Sequence, residues 1–298
     1  MPAVSVIIVS YKVRYYIEQC LNSVLRSVPD AQILVVDNKS DDGTVEYLRE
    51  RFPESDIISN DYNAGFGKAN NIGIQYAIKQ GYDAVLLLNE DAWLDENALE
   101  HLASVSSKHP EYGIVSPIHL TGNGDKPEKG FATYTGIHDL QHLPDAEIVE
   151  APFIDAAIWL IRTEVLKKTG LFAPIFYHYG EDKDLANRMT YYHYKIGYLP
   201  NVFGYHDREF RQVTRVHFIR GERVYHLSEY TNIIYSFGKA FCMGVLALSK
   251  KILLSLVKGK WKNAATYTGL GFGLLMKTPE VIKARKISKH VDLNNYAS

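Results

Sequence analysis

Short apolar runs alternate with helical patterns through the first half of the chain. Four runs predict strands, at 4–9, 32–36, 56–58 and 84–88. The first, second and fourth are rich in Val, Ile and Leu with no polar alternation, which is typical of strands covered on both faces. The sequence therefore predicts a sheet that lies inside the molecule.

Helical spacing of apolar residues fills the intervals between these strands. The predicted helices cover 17–28, 44–51, 68–79 and 97–108. Strand and helix alternation of this kind predicts an α/β fold, with a doubly wound, mostly parallel sheet and helices on both faces. In such sheets, ligands bind beyond the carboxyl ends of the strands.

The second half is less regular. Glycine and proline are spread through polar sequence at 119–150, which predicts an irregular excursion and a candidate flap. Regular elements return as a strand at 153–161, helices at 163–169 and 182–192, and a last strand at 195–199. From residue 224 the pattern is helical and unusually apolar. We expect one α/β domain over residues 1–210 and a helical C-terminal tail over residues 211–298.

Charge divides the chain more sharply than its net value of −1 suggests. Residues 237–298 carry a net charge of +9, and the remainder carries −10. A basic, apolar tail favours an anionic membrane surface as its partner, and the alternative is docking on the acidic body of the same chain. The longest apolar stretch, 240–248, is far short of the roughly 20 residues that span a bilayer, so we expect a helix in the plane of the interface.

The N-terminal run and the cysteines bear on location. Residues 4–9 follow no basic segment and are shorter than a signal-peptide core of roughly 7–15 residues. Cys20 and Cys242 cannot form a disulfide framework, and we expect both to be small buried side chains in a reducing compartment. These features predict a cytoplasmic protein, attached peripherally to the inner face of the cell membrane.

Polar residues follow the first two predicted strands. Ser10 and Tyr11 come after the first, and Asp37 comes after the second. A carboxylate there can accept the N3–H of uracil or thymine, and these two bases present the same pattern of donors and acceptors. The alternative is that Asp37 caps the turn leading to Thr44.

A glycine-rich stretch occupies residues 63–73. Gly65 allows close approach of a ligand, and the helix that follows offers its N-terminus to phosphate oxygens. Asn63, Lys68 and Asn70 add hydrogen-bond donors. The stretch is a candidate diphosphate site.

Asn89, Glu90 and Asp91 close the fourth apolar run. Oxygen ligands at the end of a buried strand are suited to a hard cation, and Mg²⁺ or Mn²⁺ there would neutralise a diphosphate leaving group. The alternative is an N-cap cluster ahead of a helical turn.

A last constellation combines Glu181, Asp182 and Asp184 with His206. Carboxylates crowded in this way are costly without a purpose, and one of them can act as general base for an acceptor hydroxyl. The histidine could complete a metal shell. The alternatives are a solvated helix start and a structural histidine.

The ordered set of motifs resembles glycosyltransferase family 2, whose members have the GT-A fold and invert the anomeric centre. The stretches that carry the resemblance are 5–11, 35–38, 63–73, 86–91 and 180–184, with a fainter likeness at 153–157 and 170–172. It covers roughly residues 3–206, about two thirds of the chain.

The resemblance assigns roles to individual residues. Asp182, with Glu181 beside it, takes the role of catalytic base. The residues implied in binding the nucleotide sugar are Ser10, Tyr11, Asp37, Asn63, Gly65, Lys68, Asn70, Asn89 and Glu90. The metal ligands implied are Asp91, Asn89 and His206, and the acceptor-side residues are Asp155 and Ala156. One departure concerns Asn89, which stands where the family usually has a carboxylate and so weakens the expectation of a divalent metal cofactor.

The resulting expectation is transfer of a sugar from a UDP- or dTDP-sugar to a hydroxyl of a lipid-linked saccharide, in cell-surface polysaccharide synthesis. The form with Asn89 also resembles rhamnosyl- and galactofuranosyl-type transferases. A nucleotidyltransferase is one alternative, although residues 10–14 lack the glycine that it would need. A catalytically silent nucleotide-sugar-binding protein is the other. The expected partners are the donor, the acceptor and an anionic membrane surface reached through residues 237–298, and nucleic acid is not among them.

Overall fold

The computed structural model of the protein describes residues 2–208 and 214–296. Over these ranges the strands are β1 (Val4–Ser10), β2 (Gln32–Asp37), β3 (Asp56–Ser59), β4 (Ala84–Asn89), β5 (Ala92–Leu94), β6 (Tyr112–Thr121), β7 (Val149–Glu150), β8 (Ile158–Arg162) and β9 (Lys195–His206). The helices are α1 (Ile17–Ser27), α2 (Thr44–Arg51), α3 (Phe66–Gln80), α4 (Ala98–Lys108), α5 (Lys129–Thr135), α6 (Thr163–Thr169), α7 (Glu181–Tyr191), α8 (Arg215–Thr231), α9 (Phe237–Val257), α10 (Trp261–Met276) and α11 (Thr278–Lys289). A short 3₁₀-helix, Leu293–Tyr296, follows them.

Strands β1 to β9 belong to one sheet, with the order β3-β2-β1-β4-β8-β6-β9-β5 and with β7 paired to β9. The four predicted N-terminal strands form its parallel part. Beyond β4 the sheet is mixed, because β8 runs antiparallel to both β4 and β6 while β6 and β9 pair in parallel. The predicted α/β class is confirmed, and the longest pairings are the parallel ones.

Alternate residues of the central strands enter two separate cores. Ile7 packs with the apolar faces of α3, α6 and α7, whereas Val6 and Ile8 pack with α1, α2 and α4. Because successive side chains of a strand point to opposite faces, the sheet lies between two layers of helices. The helices predicted on both faces are therefore confirmed.

The excursion predicted at 119–150 is partly wrong. Its first residues belong to β6, a ten-residue strand that the sequence pattern does not reveal, and α5 and β7 lie further along it. Gly113, Ser116 and Pro117 interrupt the apolar pattern of β6, and its register with β9 shifts between Pro117 and Ile118. Proline and glycine occur inside strands mainly where the pairing is irregular, as it is here. They break the alternation of apolar and polar residues by which a strand is recognised in sequence.

The last strand is also longer than predicted. β9 passes Pro200 and ends at His206, so the histidine lies within the strand rather than beyond it. The helical region begins with α8 at Arg215, earlier than the predicted start at residue 224. The predicted domain boundary between residues 210 and 211 lies outside the described residues.

Helices α8 to α11 share a third buried cluster. Leu227, Tyr267 and Val281 are members of it, and Phe176 joins it from the segment before α7. Arg285 on α11 is buried and donates to the carbonyl oxygens of Tyr230 and Asn232 at 3.1 and 2.6 Å. The helical region is thus packed on itself and against the segment before α7.

The outer face of α9 is apolar and uncovered. The 21-residue helix is long and apolar enough to cross a membrane by length and composition, and only 17% of its most apolar window is buried. This differs from the sequence prediction, in which the apolar stretch ended at residue 248 and was too short to span a bilayer. Lys251 pairs with Glu222 of α8. Exposed apolar residues on α9 and the neighbouring α10 are Met243, Val245, Leu246, Leu253, Leu254, Leu256, Val257, Trp261, Phe272, Leu275 and Met276. Cys242 is exposed, contrary to prediction, whereas Cys20 is buried.

The C-terminal end returns to the sheet. Tyr296 is fully buried in the core that covers α3, and its carbonyl oxygen accepts a hydrogen bond from Asn71 Nδ2 at 3.1 Å. Gln75 Nε2 donates to the Leu293 carbonyl at 3.0 Å. The last residues of the tail therefore dock on the body of the same chain. This was the alternative to binding at a membrane surface.

The packing of α3 on β1 leads to a test of this core. A Cβ at Gly73 would lie 2.6 Å from Ile7 Cγ2, whereas a Cβ at Gly269 on α10 would meet no atom of the described residues within 4 Å. We expect Gly73→Ala to lower the free energy of unfolding by about 1–3 kcal/mol, because overpacking outweighs the gain in helix propensity.

Urea denaturation followed by circular dichroism measures this effect. Gly269→Ala, the matched control, should be neutral or stabilising by up to about 1 kcal/mol. Equal effects of the two substitutions would contradict the close helix-to-strand contact.

Candidate active site

The ends of β1 and β2 are joined through a buried carboxylate. Asp37 is 1% exposed and accepts hydrogen bonds from Ser10 Oγ at 2.8 Å, Ser40 Oγ at 2.6 Å and Ser40 N at 2.8 Å. These contacts stabilise the turn after β2, although the N–H of Thr44 is bonded to Asp42 instead. A carboxylate has about four acceptor positions, and three of those on Asp37 are used within the chain.

Glu90 connects the ends of β1 and β4. Its Oε2 accepts the backbone N–H of Tyr11 at 2.7 Å. Burial, reinforced by the nearby Asp91 and Asp37, raises the pKa of Glu90 to about 8, although the Tyr11 hydrogen bond opposes this rise. Ser10, Tyr11, Asp37 and Glu90, which are all predicted to bind the nucleotide sugar, thus form one connected group.

The glycine-rich stretch packs closely against the segment before α7. Gly65 has a φ of +80°, and a Cβ there would lie 2.4 Å from the Tyr177 carbonyl oxygen. Asn63 Oδ1 accepts the Gly65 N–H at 2.9 Å, and its carbonyl accepts from Tyr177 Oη at 3.3 Å. Only glycine allows this close contact at a left-handed φ.

The first turn of α3 lies beside the start of α7, which contains the predicted catalytic residues Glu181 and Asp182. A Cβ at Gly67 would lie 3.5 Å from Glu181 Cβ, so the beginnings of α3 and α7 are neighbours. Lys68 Nζ lies 5.5 Å from the centre of the Tyr62 ring. Asn70 is not placed as a free donor: it is 2% exposed, and its Nδ2 donates to the Phe66 carbonyl at 3.0 Å. A polar side chain inside a helix can bond the carbonyl four residues earlier in this way.

Asp91 and His206 are brought together by strand pairing. Ala92 of β5 pairs with His206 of β9, and His206 Nε2 lies 3.5 Å from Asp91 Oδ1. Within residues 2–208 and 214–296, no group of three or more His, Cys, Asp or Glu side chains is arranged to hold a metal ion. A carboxylate with one further ligand nevertheless fits Mg²⁺ or Mn²⁺, since such ions commonly take substrate phosphates as additional ligands. Asn89 stands at the end of β4, and its predicted role as ligand stays a prediction.

A second histidine lies behind His206. The ring centres of His119 and His206 are 6.5 Å apart, and His119 Nε2 is 2.9 Å from Ser116 Oγ. Burial, and secondarily the neighbouring His206, lowers the pKa of His119 to about 3. His119 is therefore neutral. No sequence motif singles it out, because it lies in the stretch that the glycine and proline pattern marks as irregular.

The predicted catalytic and acceptor-side carboxyl groups share a buried acidic environment. Burial raises the pKa of Asp182, and burial together with the charge of Asp182 raises the pKa of Glu181 to about 7 and of Asp155 to about 6. Glu181 Oε2 has no hydrogen-bond partner within the described parts of the chain. A carboxyl group with a raised pKa is a stronger proton acceptor once it is ionised.

Arg208 places a positive charge beside this acidic group. Its Nη1 lies 3.6 Å from Asp155 Oδ2, and its charge partly opposes the rise in the pKa of both Asp155 and Asp182. Arg208 could have been suspected from the sequence, because it follows the predicted site residue His206 by only two positions. Ala156, the other predicted acceptor-side residue, is buried in the core, and its predicted role stays a prediction.

A cavity of about 350 Å³ adjoins Asp155 and Asp182. A larger cavity of about 500 Å³ lies elsewhere and is lined by Pro2, Asp83 and Arg162 among others. The larger one contains none of the predicted site residues. The chemistry of the carboxyl groups, rather than cavity size, therefore locates the candidate active site.

Known proteins match this chain in sequence and in fold. The family model for glycosyl transferase family 2 matches residues 5–170. A relative from Mycobacterium tuberculosis, N-acetylglucosaminyl-diphospho-decaprenol L-rhamnosyltransferase, is 22% identical over 231 residues, covering 68% of this chain and 75% of the relative.

Two solved structures resemble the fold. S. aureus TarS 1–349 in complex with UDP-GlcNAc has a TM-score of 0.60 at 15% identity and covers 99% of this chain and 89% of that one. GalNAc-T7 with UDP, GalNAc and Mn²⁺ has a TM-score of 0.62 at 17% identity and covers 76% of this chain. The present chain spans 48% of the GalNAc-T7 chain. At these identities the likeness concerns the fold.

The raised pKa of Glu90 predicts a pH-dependent stability. Since the folded-state pKa of about 8 exceeds the ordinary value of 4.5, the folded chain holds this proton more tightly than the unfolded chain. Stability from Glu90 protonation is present below about pH 4.5 and is lost as pH rises to about 8. We expect Glu90→Gln to become progressively more stable than the parent over that range.

Thermal unfolding of ligand-free protein at pH 5 and pH 8.5 measures the difference. The exposed Glu54 supplies the control, because Glu54→Gln should shift the unfolding temperature equally at both pH values. A difference between Glu90→Gln and the parent that is independent of pH would show that Glu90 is not held in its protonated form.

Proposed function

The chain belongs to glycosyl transferase family 2 and has a GT-A fold, and from this we propose that it inverts the anomeric centre as it transfers a sugar from a UDP- or dTDP-sugar to a hydroxyl of a lipid-linked saccharide. The observation that carries the proposal is the placement of three carboxyl groups, with Asp37 at the end of β2, Asp91 just after β4 and Asp182 in the first turn of α7. These three carboxyl groups suit three tasks, namely base recognition, diphosphate binding and proton transfer.

We assign the donor to the edge formed by β1, β2 and β4. In this proposal the remaining acceptor position of Asp37 takes the N3–H of uracil or thymine. The diphosphate would lie at the N-terminus of α3, where backbone N–H groups near Gly65 and Lys68 favour anionic oxygens. The S. aureus TarS structure holds UDP-GlcNAc on a similar fold, which supports this class of donor.

Asp182 is the proposed general base. It takes the proton of the acceptor hydroxyl as that oxygen forms a bond to C1 of the donor sugar, on the face opposite the diphosphate. The bond from C1 to the diphosphate oxygen breaks, so the configuration inverts without a covalent intermediate. Burial among Glu181 and Asp155 suits this role, because it favours uptake of a proton by Asp182.

A divalent cation is proposed as cofactor, with Asp91 and His206 as protein ligands and Asn89 as a weaker third. When bound, it would neutralise charge on the departing diphosphate. The presence of Mn²⁺ in the GalNAc-T7 structure supports the choice of metal. His119 supports the ring of His206 from behind in this proposal.

The acceptor and the location are proposed together. The M. tuberculosis relative is named for a diphospho-decaprenol acceptor, which suggests a lipid-linked saccharide in polysaccharide synthesis here. The uncovered apolar faces of α9 and α10, flanked by basic residues such as Lys258, Lys260 and Lys262, suit the surface of an anionic membrane. We therefore propose a catalytic domain over 1–210 and a membrane-associated region over 211–298, with the protein at the cytoplasmic face.

The role of Asp182 can be tested by Asp182→Asn. We expect sugar transfer to fall by about 10²–10⁴-fold, because the amide cannot accept the hydroxyl proton. Binding of donor should persist, measured as thermal stabilisation by UDP- and dTDP-sugars, with GDP-sugars as the comparison.

The exposed Asp145 provides the matched control, since Asp145→Asn should retain full transfer. Near-normal turnover by Asp182→Asn would exclude Asp182 as the base. Failure of both UDP- and dTDP-sugars to stabilise the parent would exclude the proposed donors.

Membrane attachment is tested by point changes rather than truncation, because Tyr296 is part of the catalytic domain's core. Leu246 and Phe272 are 68% and 67% exposed. Burial of such side chains contributes about 1.5–3 kcal/mol each, so we expect Leu246→Glu with Phe272→Glu to reduce partitioning onto phosphatidylglycerol vesicles by about tenfold or more.

Cosedimentation with vesicles measures the partitioning, and Tyr15→Glu, an exposed change on the sheet domain, is the control. Unchanged partitioning of the double variant would show that the apolar face is not the membrane contact.

A further inference from the structure

Helix α8 forms one wall of the cavity beside Asp182. The residues that α8 contributes are Gly221, Val224, Tyr225, Ser228 and Glu229. Their spacing is that of a single helix face, so the wall is continuous. The opposite wall includes Tyr134 and Phe153, and none of the residues assigned to the donor is among the described residues that line the cavity. The cavity therefore lies on the acceptor side of Asp182.

The position of α8 depends on a glycine in the catalytic segment. Gly180, immediately before α7, has a φ of +90°, and a Cβ there would lie 2.7 Å from Val224 Cγ1. On its other side, α8 is anchored by Leu227 in the third buried cluster. The α8 wall is thus held against the carboxyl groups from both sides.

The lining matches the chemistry of a saccharide. Tyr134 and Tyr225 are 41% and 54% exposed, and Phe153 packs edge-on against Tyr134 with 4.7 Å between ring centres. Sugar rings present apolar C–H faces, which suit aromatic side chains, and hydroxyl groups, which donate to carboxylates. Glu229 supplies a carboxylate on the α8 wall, and the volume lies within the range of about 300–1,000 Å³ for small-molecule sites.

We propose that Tyr225 and Glu229 of α8 bind the acceptor saccharide and determine which sugar presents its hydroxyl to Asp182. This inference rests on the proposed function and deepens it. It assigns acceptor recognition to a helix outside residues 5–170, the part matched by the family model.

Gly221 allows a test that does not remove any contact. A Cβ at Gly221 would meet no atom of the described residues within 4 Å, and the same is true of Gly238 on α9, which does not line the cavity. Leu is a better helix former than Gly, so both Gly221→Leu and Gly238→Leu should fold. We expect only Gly221→Leu to fill the cavity.

Binding is measured by saturation-transfer NMR in the presence of UDP, with the methyl β-glycosides of N-acetylglucosamine, glucose and galactose and methyl α-rhamnoside as probes. We expect at least one probe to bind both the parent and Gly238→Leu. The same probe should bind Gly221→Leu at least about fivefold more weakly, because the leucine occupies the cavity. It should also bind Glu229→Gln at least about fivefold more weakly, because a charge-assisted hydrogen bond is lost. Thermal stabilisation by UDP-sugar should be the same in all of them.

Equal probe binding by the two leucine variants, or no probe binding by the parent, would overturn the assignment of α8. If neither UDP- nor dTDP-sugars stabilise the parent against thermal unfolding, the proposed donor is overturned. The saccharide-binding result would still test the assignment of α8 independently.

Discussion

The crowding of buried and half-buried carboxyl groups around the candidate site is the constraint on which the rest of the structure depends. Glu90, Asp155, Glu181 and Asp182 all have raised pKa values, and burial is the first cause in each. Like charges this close are unfavourable without a rigid framework to hold them. Parallel strands buried on both faces provide that framework, and Arg208 partly offsets the charge.

Sequence patterns were sufficient for the parts of the fold in which burial is uniform. β1, β2 and β4 are covered on both faces, so almost every position is apolar and the strands are legible. β6 could not be found in this way, because its polar positions are satisfied by partners distant in the chain. Ser116 Oγ, for example, donates to the Ile158 carbonyl at 2.8 Å, and Gly113 lies against Met189 and Tyr194.

The same distinction applies to the candidate site. Carboxylates that follow strands were predictable, since strand ends meet at one edge. The hydrogen bond from Tyr11 N–H to Glu90 and the ion pair of Arg208 with Asp155 depend on tertiary packing, and no local pattern encodes them. The cavity wall on α8 has the ordinary spacing of an amphipathic helix, and only its proximity to Gly180 identifies it.

The burial of Tyr296 has a consequence for the order of assembly. Its carbonyl oxygen is bonded to Asn71, and a second hydrogen bond joins Gln75 to Leu293, at sequence separations of 225 and 218 residues. Contacts of such long separation form late, because chain entropy must be lost before they contribute. During synthesis the N-terminal strands can pair as they emerge, but α3 acquires its last partners only when residue 296 has been made. Helix α3 therefore acquires these partners only after the apolar helices α9 and α10 have been synthesised.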